Sequence, residues 1–142
     1  MRCTMATDTG RKAVASKPLP RLGYREYCSL SADGLRHEII DGSHFMTPAP
    51  STRHQTVSKR LQYQIYTQVE LAGLGVVLTA PVVVHLSDHD IVQPDLVVVL
   101  AEHSERITPT KLNGPPDLIV EILSPSTAST DLTLKKRLYE RA

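Results

Sequence analysis

Within the stretch PPDLIVEILSPST, residues 115–127, an acid interrupts an apolar run. Leu118, Ile119, Val120, Ile122 and Leu123 read as a buried strand, with Glu121 among them. A carboxylate in such a run is costly to bury unless it is paired or bound to a cation. Asp117 lies four residues earlier and shares the face of an extended chain. At roughly 3.3 Å per residue the two are about 13 Å apart, too far for one metal ion to bind both directly. Asp117 follows Pro116 and reads as a solvated turn residue. Asp95 is the better partner, because it opens PDLVVVL, the other apolar strand. If the two strands are neighbours, a suitable register brings Asp95 and Glu121 within a few ångströms on one face. Two converging carboxylates suit a hard divalent cation, Mg²⁺ or Mn²⁺, with a few waters. The alternative is an aspartate in a pre-strand turn and a glutamate paired with a buried lysine or arginine. A third feature is the basic segment LTLKKRLYER. With Leu134 and Leu138 facing inward, Lys135 leans toward the strand ends, where an ammonium would stabilise charge on a phosphorane-like transition state or hold an attacking water. Its plainer reading is a solvated helix face.

These residues need elements to hold them. Residues 24–30, YREYCSL, predict a short first helix, and SADG a turn. LRHEIIDGSHFMT carries Asp41-Gly42 between two half-apolar arms, a strong hairpin signal. PAPS interrupts regular structure. Ser51 or Thr52 then caps a long helix to about Ala72, with Val57, Leu61, Ile65, Val69 and Ala72 on one face and Gly73 and Gly75 ending it. The period then changes. VVLTAPVVVHL (76–86) predicts one strand, with Pro81 at an edge or bulge, and IVQPDLVVVL (91–100) predicts another. A polar loop leads to the strand with Glu121, and a last helix follows, capped by Thr130 or Asp131. The near-match of PDLVVVL and PDLIVEIL reads as two adjacent core strands. The fold class is α/β or α+β, a sheet with helices packed on it.

Composition narrows the functions. The chain has 142 residues, 41% hydrophobic and 22% charged, which suits one domain with a real core. A formal net charge of +1 gives no overall field for nucleic acid or membrane, so a polyanion site must be a local patch. Cys3 and Cys28 form no metal spacing and no disulfide framework, which suits a reducing cytoplasm. Residues 1–21 read as a disordered leader without the apolar core of a secretory signal. No apolar run approaches the roughly 18 residues of a membrane span, so no membrane partner is expected. His85 and His89 span a strand end and a turn, which does not give helical zinc-ligand spacing. Ser124 and Ser126 lack a His/Asp arrangement and read as turn chemistry around Pro125.

The blocks HEIIDG, TPAPSTRH, VQPDLVVV, PPDLIVEILSPST and DLTLKKRLYERA, in this order, resemble the bacterial family of putative restriction endonucleases in the PD-(D/E)XK nuclease superfamily. The resemblance covers residues 22–142 and implies a restriction-endonuclease-like core, a mixed central sheet flanked by helices. It implies that Asp95 is the aspartate of the PD element, Glu121 the acid of the (D/E)XK element, and Glu38 an additional glutamate. The strand lysine is absent, position 123 being Leu, and Lys135 on the following helix stands in its place. It further implies an endonuclease that hydrolyses DNA phosphodiester bonds with Mg²⁺ or Mn²⁺ held by Asp95, Glu121 and the Ile122 carbonyl. Arg53, His54, Lys59, Arg60 and Lys136 are candidate DNA contacts, although His54 reads better as support for the PAPS loop. Family members usually continue into a further strand. An alternative expectation is therefore a truncated, inactive relative that binds DNA or protein, or pairs with a second copy, through an exposed sheet edge.

Overall fold

The computed structural model describes residues 20–30 and 32–142. All but Pro20 and Arg21 of the expected leader lie outside this range. Arg21 itself belongs to the fold. Its guanidinium pairs with Asp41, and the next residue, Leu22, donates its N–H to the Gly42 carbonyl at 2.9 Å.

One helical turn, α1 (Tyr24–Tyr27), precedes the hairpin of β1 (Arg36–Ile40) and β2 (Ser43–Thr47). Asp41 and Gly42 both take positive φ, 51° and 76°, as the tight turn between twisted strands requires. Helix α2 (Thr52–Ile65) starts where the Ser51 hydroxyl accepts the His54 N–H, and it continues as a π-helical turn, Tyr66–Glu70. Leu61, Ile65 and Val69 pack inward as expected, whereas Val57 and Ala72 are exposed. The two long strands expected next are each divided. Residues 76–86 hold the end of β3 (Gly75–Thr79) and the start of β4 (Val84–Ser87), with Pro81 between them. Residues 91–100 hold the end of β5 (Asp90–Val92) and all of β6 (Leu96–Leu100), with Pro94 between them. A proline offers no N–H to a ladder, so each apolar run changes sheet at its proline. A 3₁₀ segment (Ala101–Arg106), β7 (Leu112–Asn113) and β8 (Leu118–Val120) follow. The last helix, α3, comprises Ala128–Thr130, a π turn Asp131–Lys135 and an α-helical end Lys136–Arg141.

The strands form a five-stranded sheet in the order β2-β1-β5-β4-β7 and a three-stranded sheet in the order β3-β6-β8. Pairing is antiparallel except between β4 and β7. Alternation along β6 gives each sheet face its own core. Leu96 and Val98 face α2 beside Val77, Leu61 and Ile65. Val97 and Val99 face the other way, onto Ile40, Val84 and Val92 of the five-stranded sheet and Leu138 of α3. Each fully buried aliphatic side chain of this kind contributes about 1.5–3 kcal/mol.

One expectation about the strand of Glu121 changes. The run is not buried along its length, because β8 is an edge strand, with Leu118 and Leu123 about half exposed at 47% and 51%. Asp117 is exposed at a bend, as expected, and it also has fixed partners. Its carboxylate accepts the Leu100 N–H at 2.8 Å and faces His103 Nδ1 at 2.7 Å. The Leu100 bond holds the Asp117 carboxyl below the usual range.

Gly75 opens β3 where that strand presses hardest on β6. A Cβ there would stand 2.3 Å from the Val99 carbonyl oxygen and 2.8 Å from the Leu100 Cα. Both are backbone atoms, so Gly75→Ala should cost about 1–3 kcal/mol by overpacking. Urea unfolding measures this, and an unchanged midpoint would show that the β3–β6 contact yields.

Candidate active site

Four elements converge beside the end of β6. In the β6–β8 ladder Leu96 faces Val120, so the next pair outward is Asp95 and Glu121. The two acids that the sequence singles out are therefore directly opposite each other. Past this point the ladder closes on a side chain, since the Ile122 N–H donates to Asp95 Oδ2 at 2.7 Å.

Asp95 is 3% exposed and held from three sides. Arg36 Nη1 lies 2.9 Å from Oδ1, and His54 Nε2 lies 3.0 Å from Oδ2, beside the Ile122 amide. Arg36 also donates to the Gln93 carbonyl at 3.2 Å. His54 is brought there by the Ser51 cap, which fixes the first turn of α2. Glu38, 2% exposed on β1, accepts the Gln93 N–H at 2.8 Å through Oε1.

Lys135 gathers the remaining acids. Its ammonium lies 2.9 Å from Glu38 Oε2, 3.1 Å from Glu121 Oε1 and 3.5 Å from Asp131 Oδ1. Tyr139 donates its hydroxyl to the same Glu121 oxygen at 2.6 Å. The expected burial of Leu134 is corrected, as it is 40% exposed while Lys135 is 4% and Leu138 2% exposed. The π turn spans Asp131–Lys135 and sets the phase of the helix so that Asp131, Lys135 and Leu138 share the inner side. The helix also begins earlier than expected, after Thr127, and neither Thr130 nor Asp131 caps it.

Burial pushes the Glu121 carboxyl up to about 7, although the Lys135 ammonium and the Tyr139 hydroxyl pull the other way. For Lys135, burial works downward, but the carboxylates of Glu38 and Glu121 outweigh it and its pKa is raised. Burial, then the Glu121 charge, raises Tyr139 far enough to keep its hydroxyl a donor.

A divalent cation fits this chemistry. The carboxylates Glu38, Asp95, Glu121 and Asp131 face two permanent cations, Arg36 and Lys135, leaving a surplus of negative charge. Among the described residues nothing donates to Glu121 Oε2, and a cleft of about 270 Å³ opens onto Asp95, Glu121 and Lys135. Among the described residues no three His, Cys, Asp or Glu side chains form a ready-made metal cage. Mg²⁺ does not require one, since it commonly takes one or two carboxylates and keeps several waters.

A profile of the Uma2 family, described as "Putative restriction endonuclease", matches residues 23–142. The chain belongs to this family. A crystal structure from Anabaena variabilis, of a protein described as a "putative nuclease belonging to DUF820", shares the fold with a TM-score of 0.68 and 22% identity. The match covers 83% of this chain and spans 66% of that protein's length. No curated protein matches the sequence. Uma2 membership agrees with the resemblance carried by the sequence blocks, and the fold is the expected mixed α+β arrangement with helices on the sheets.

In this Uma2 chain Glu38, Asp95, Glu121 and Lys135 come together. Ile122 contributes its N–H to the cluster. Of the candidate DNA contacts, His54 binds Asp95, and Lys59 lines a cavity next to it. Arg53 and Arg60 are exposed on α2. Lys136 is exposed, pairs with Glu140 at 3.6 Å and lines a different groove, with Ile119 and Leu132. Sequence reasoning missed Arg36, Asp131 and Tyr139. Arg36 lies two residues before Glu38 on one strand, and Asp131 and Tyr139 lie four residues either side of Lys135, so the strand and helix periods carried that signal. His85 stacks on Tyr24 at 4.5 Å and His89 Nδ1 bonds the Leu22 carbonyl, so they share no ligand. Ser124 and Ser126 hydrogen-bond one another in the turn before α3.

Two outcomes follow. Lys135→Ala leaves buried carboxylates without their cation and should cost about 3–5 kcal/mol in urea unfolding. A loss under about 1 kcal/mol would mean that the cluster holds itself without the ammonium. Glu121 has a folded pKa near 7, above its unfolded value of 4.5, so the folded state binds the extra proton between them. Wild-type stability should thus fall as pH rises through that window. Glu121→Gln removes this dependence, and in chelator at pH 8 it should be the more stable protein, by on the order of 3 kcal/mol. The difference should close toward pH 4.5, and parallel pH profiles for the two proteins would refute the assignment.

Proposed function

We propose that the chain is a metal-dependent endonuclease that hydrolyses DNA phosphodiester bonds, in one domain spanning residues 22–142. The observation that supports this is the β6–β8 register, which sets Asp95 opposite Glu121 at a cleft that Lys135 also lines, with Glu38 of β1 paired to Lys135. Uma2 membership, with its nuclease description, supports the same reading.

Asp95 and Glu121 would hold Mg²⁺ or Mn²⁺, with the Ile122 carbonyl as a further oxygen donor. When bound, the ion would supply Lewis acidity at the scissile phosphate and lower the pKa of a nearby water. The protein's own groups do the rest. Arg36, His54 and the Ile122 amide orient Asp95. Glu38, anchored by the Gln93 amide, fixes the Lys135 ammonium from one side while Glu121 and Asp131 fix it from the others. Lys135 then presents a positioned positive charge where a phosphate oxygen acquires negative charge in the transition state. Tyr139 keeps Glu121 Oε1 occupied, which leaves Oε2 toward the cleft. The carboxylates alone would repel a polyanion, and the basic residues Arg53, Lys59 and Arg60 of α2 would offset part of that repulsion.

Nicking of supercoiled plasmid with Mg²⁺ or Mn²⁺ tests the reading. Wild type should cleave, chelator should abolish cleavage, and Asp95→Asn and Glu121→Gln should each lose more than about 100-fold, beyond the cost of an outer-shell change. A folded wild type that leaves plasmid intact with either ion would support instead the inactive, DNA-binding relative.

A further inference from the structure

A cavity of about 550 Å³ lies beside the acidic cleft and does not include Glu121 or Lys135. Arg36, His54 and Asp95 line both spaces, as does the segment Pro48–Pro50. Asp95 and its two partners thus form a shared wall.

The chemistry of the larger space differs from that of the cleft. Helix α2 offers Gln55, Lys59 and Gln62, spaced by four and three residues so that they share one stripe. Leu35, Pro48 and Pro81 supply apolar surface around that stripe. Arg36 is committed to Asp95, so Lys59 is the remaining full positive charge. A groove for a run of phosphates would be lined mainly by cations. Amides that both donate and accept, set among flat apolar side chains, suit a neutral planar heterocycle. The volume falls in the usual range for sites that enclose small organic groups, about 300–1,000 Å³.

We propose that this cavity is a nucleobase pocket, which receives one unpaired base next to the phosphate in the adjoining cleft, and that the substrate is therefore DNA with unpaired nucleotides. Bases in a duplex are stacked and turned inward, so a cavity beside the backbone is open only to an unpaired or extruded base. Gln55 and Gln62 read the base edge, and Leu35 and the prolines cover its faces. Lys59 meets the phosphate on the far side of that nucleotide. The one aromatic ring in its lining, His54, is committed to Asp95, so selectivity comes from the amides rather than from ring stacking. This inference rests on the nuclease reading, and its test needs neither metal nor cleavage.

The test is fluorescence anisotropy in chelator with three labelled probes: a single-stranded oligothymidylate, an abasic phosphodiester strand of equal length, and a duplex containing the thymidylate strand. The two single strands carry the same phosphates and differ only in bases. Wild type should bind the thymidylate strand about 10-fold more tightly than the abasic strand, as one accommodated base allows, and more tightly than the duplex. In the double variant Gln55→Ala, Gln62→Ala the ratio between the two single strands should fall to about one. Both positions are exposed on α2, and circular dichroism checks that the helix persists. Equal wild-type affinity for the two single strands, a ratio preserved in the variant, or tighter binding of the duplex would each overturn the pocket while leaving the nuclease reading intact. If wild type binds none of the three probes in chelator, the pocket is overturned, and the plasmid assay decides the nuclease reading separately.

Discussion

A single ammonium group organises this end of the molecule. Lys135 stands among Glu38, Glu121 and Asp131, which come from a strand of the five-stranded sheet, the end of β8 and its own helix. Without it, burying these acids together would be prohibitive. With it, the two sheets and α3 are tied at one point, and the side-chain oxygens keep fixed positions. Leu138, one turn on, inserts into the core between the sheets, so the apolar anchor and the ion cluster depend on the same helix phase.

The second organising feature is β6, which is buried on both faces and separates two cores. Its rigidity fixes Asp95 at its start, and its pairing with β8 brings Glu121 opposite. The hairpin of β1 and β2 supplies Glu38 and Arg36 from the other sheet. The site is thus built from elements whose relative placement is set by aliphatic packing, with loops contributing mainly the walls of the cleft.

Much of this was legible in the sequence, for physical reasons that differ by residue. An acid inside an apolar run is expensive, so Glu121 announced itself. The shared PDL opening of two strands disclosed their kinship, and their antiparallel pairing then set Asp95 against Glu121. Asp41-Gly42 fixed the hairpin through its backbone requirement. What was not legible depended on long-range packing. Prolines 81 and 94 each divide an apolar run between two sheets, and nothing local tells which sheet the next segment joins. The inward turn of Lys135 in place of Leu134 reflects a π turn, which has no compositional signature, and a buried carboxylate partner that outweighs hydrophobicity. The half-exposure of β8 comes from its place at the sheet edge, which its Leu- and Ile-rich sequence conceals.

One bond has an effect on how the site can be studied. The Ile122 amide donates to the Asp95 carboxylate where an edge strand would otherwise have no partner. A side chain here replaces a rung of the ladder, so Asp95 is at once a candidate ligand and the clasp of the strand that bears Glu121. Substituting it changes local order together with chemistry, whereas Glu121 carries no such rung. The same bond provides a reporter that needs no substitution. The hydrogen-exchange rate of this one amide follows whether the carboxylate is holding the strand, and so reads the state of the site from the backbone.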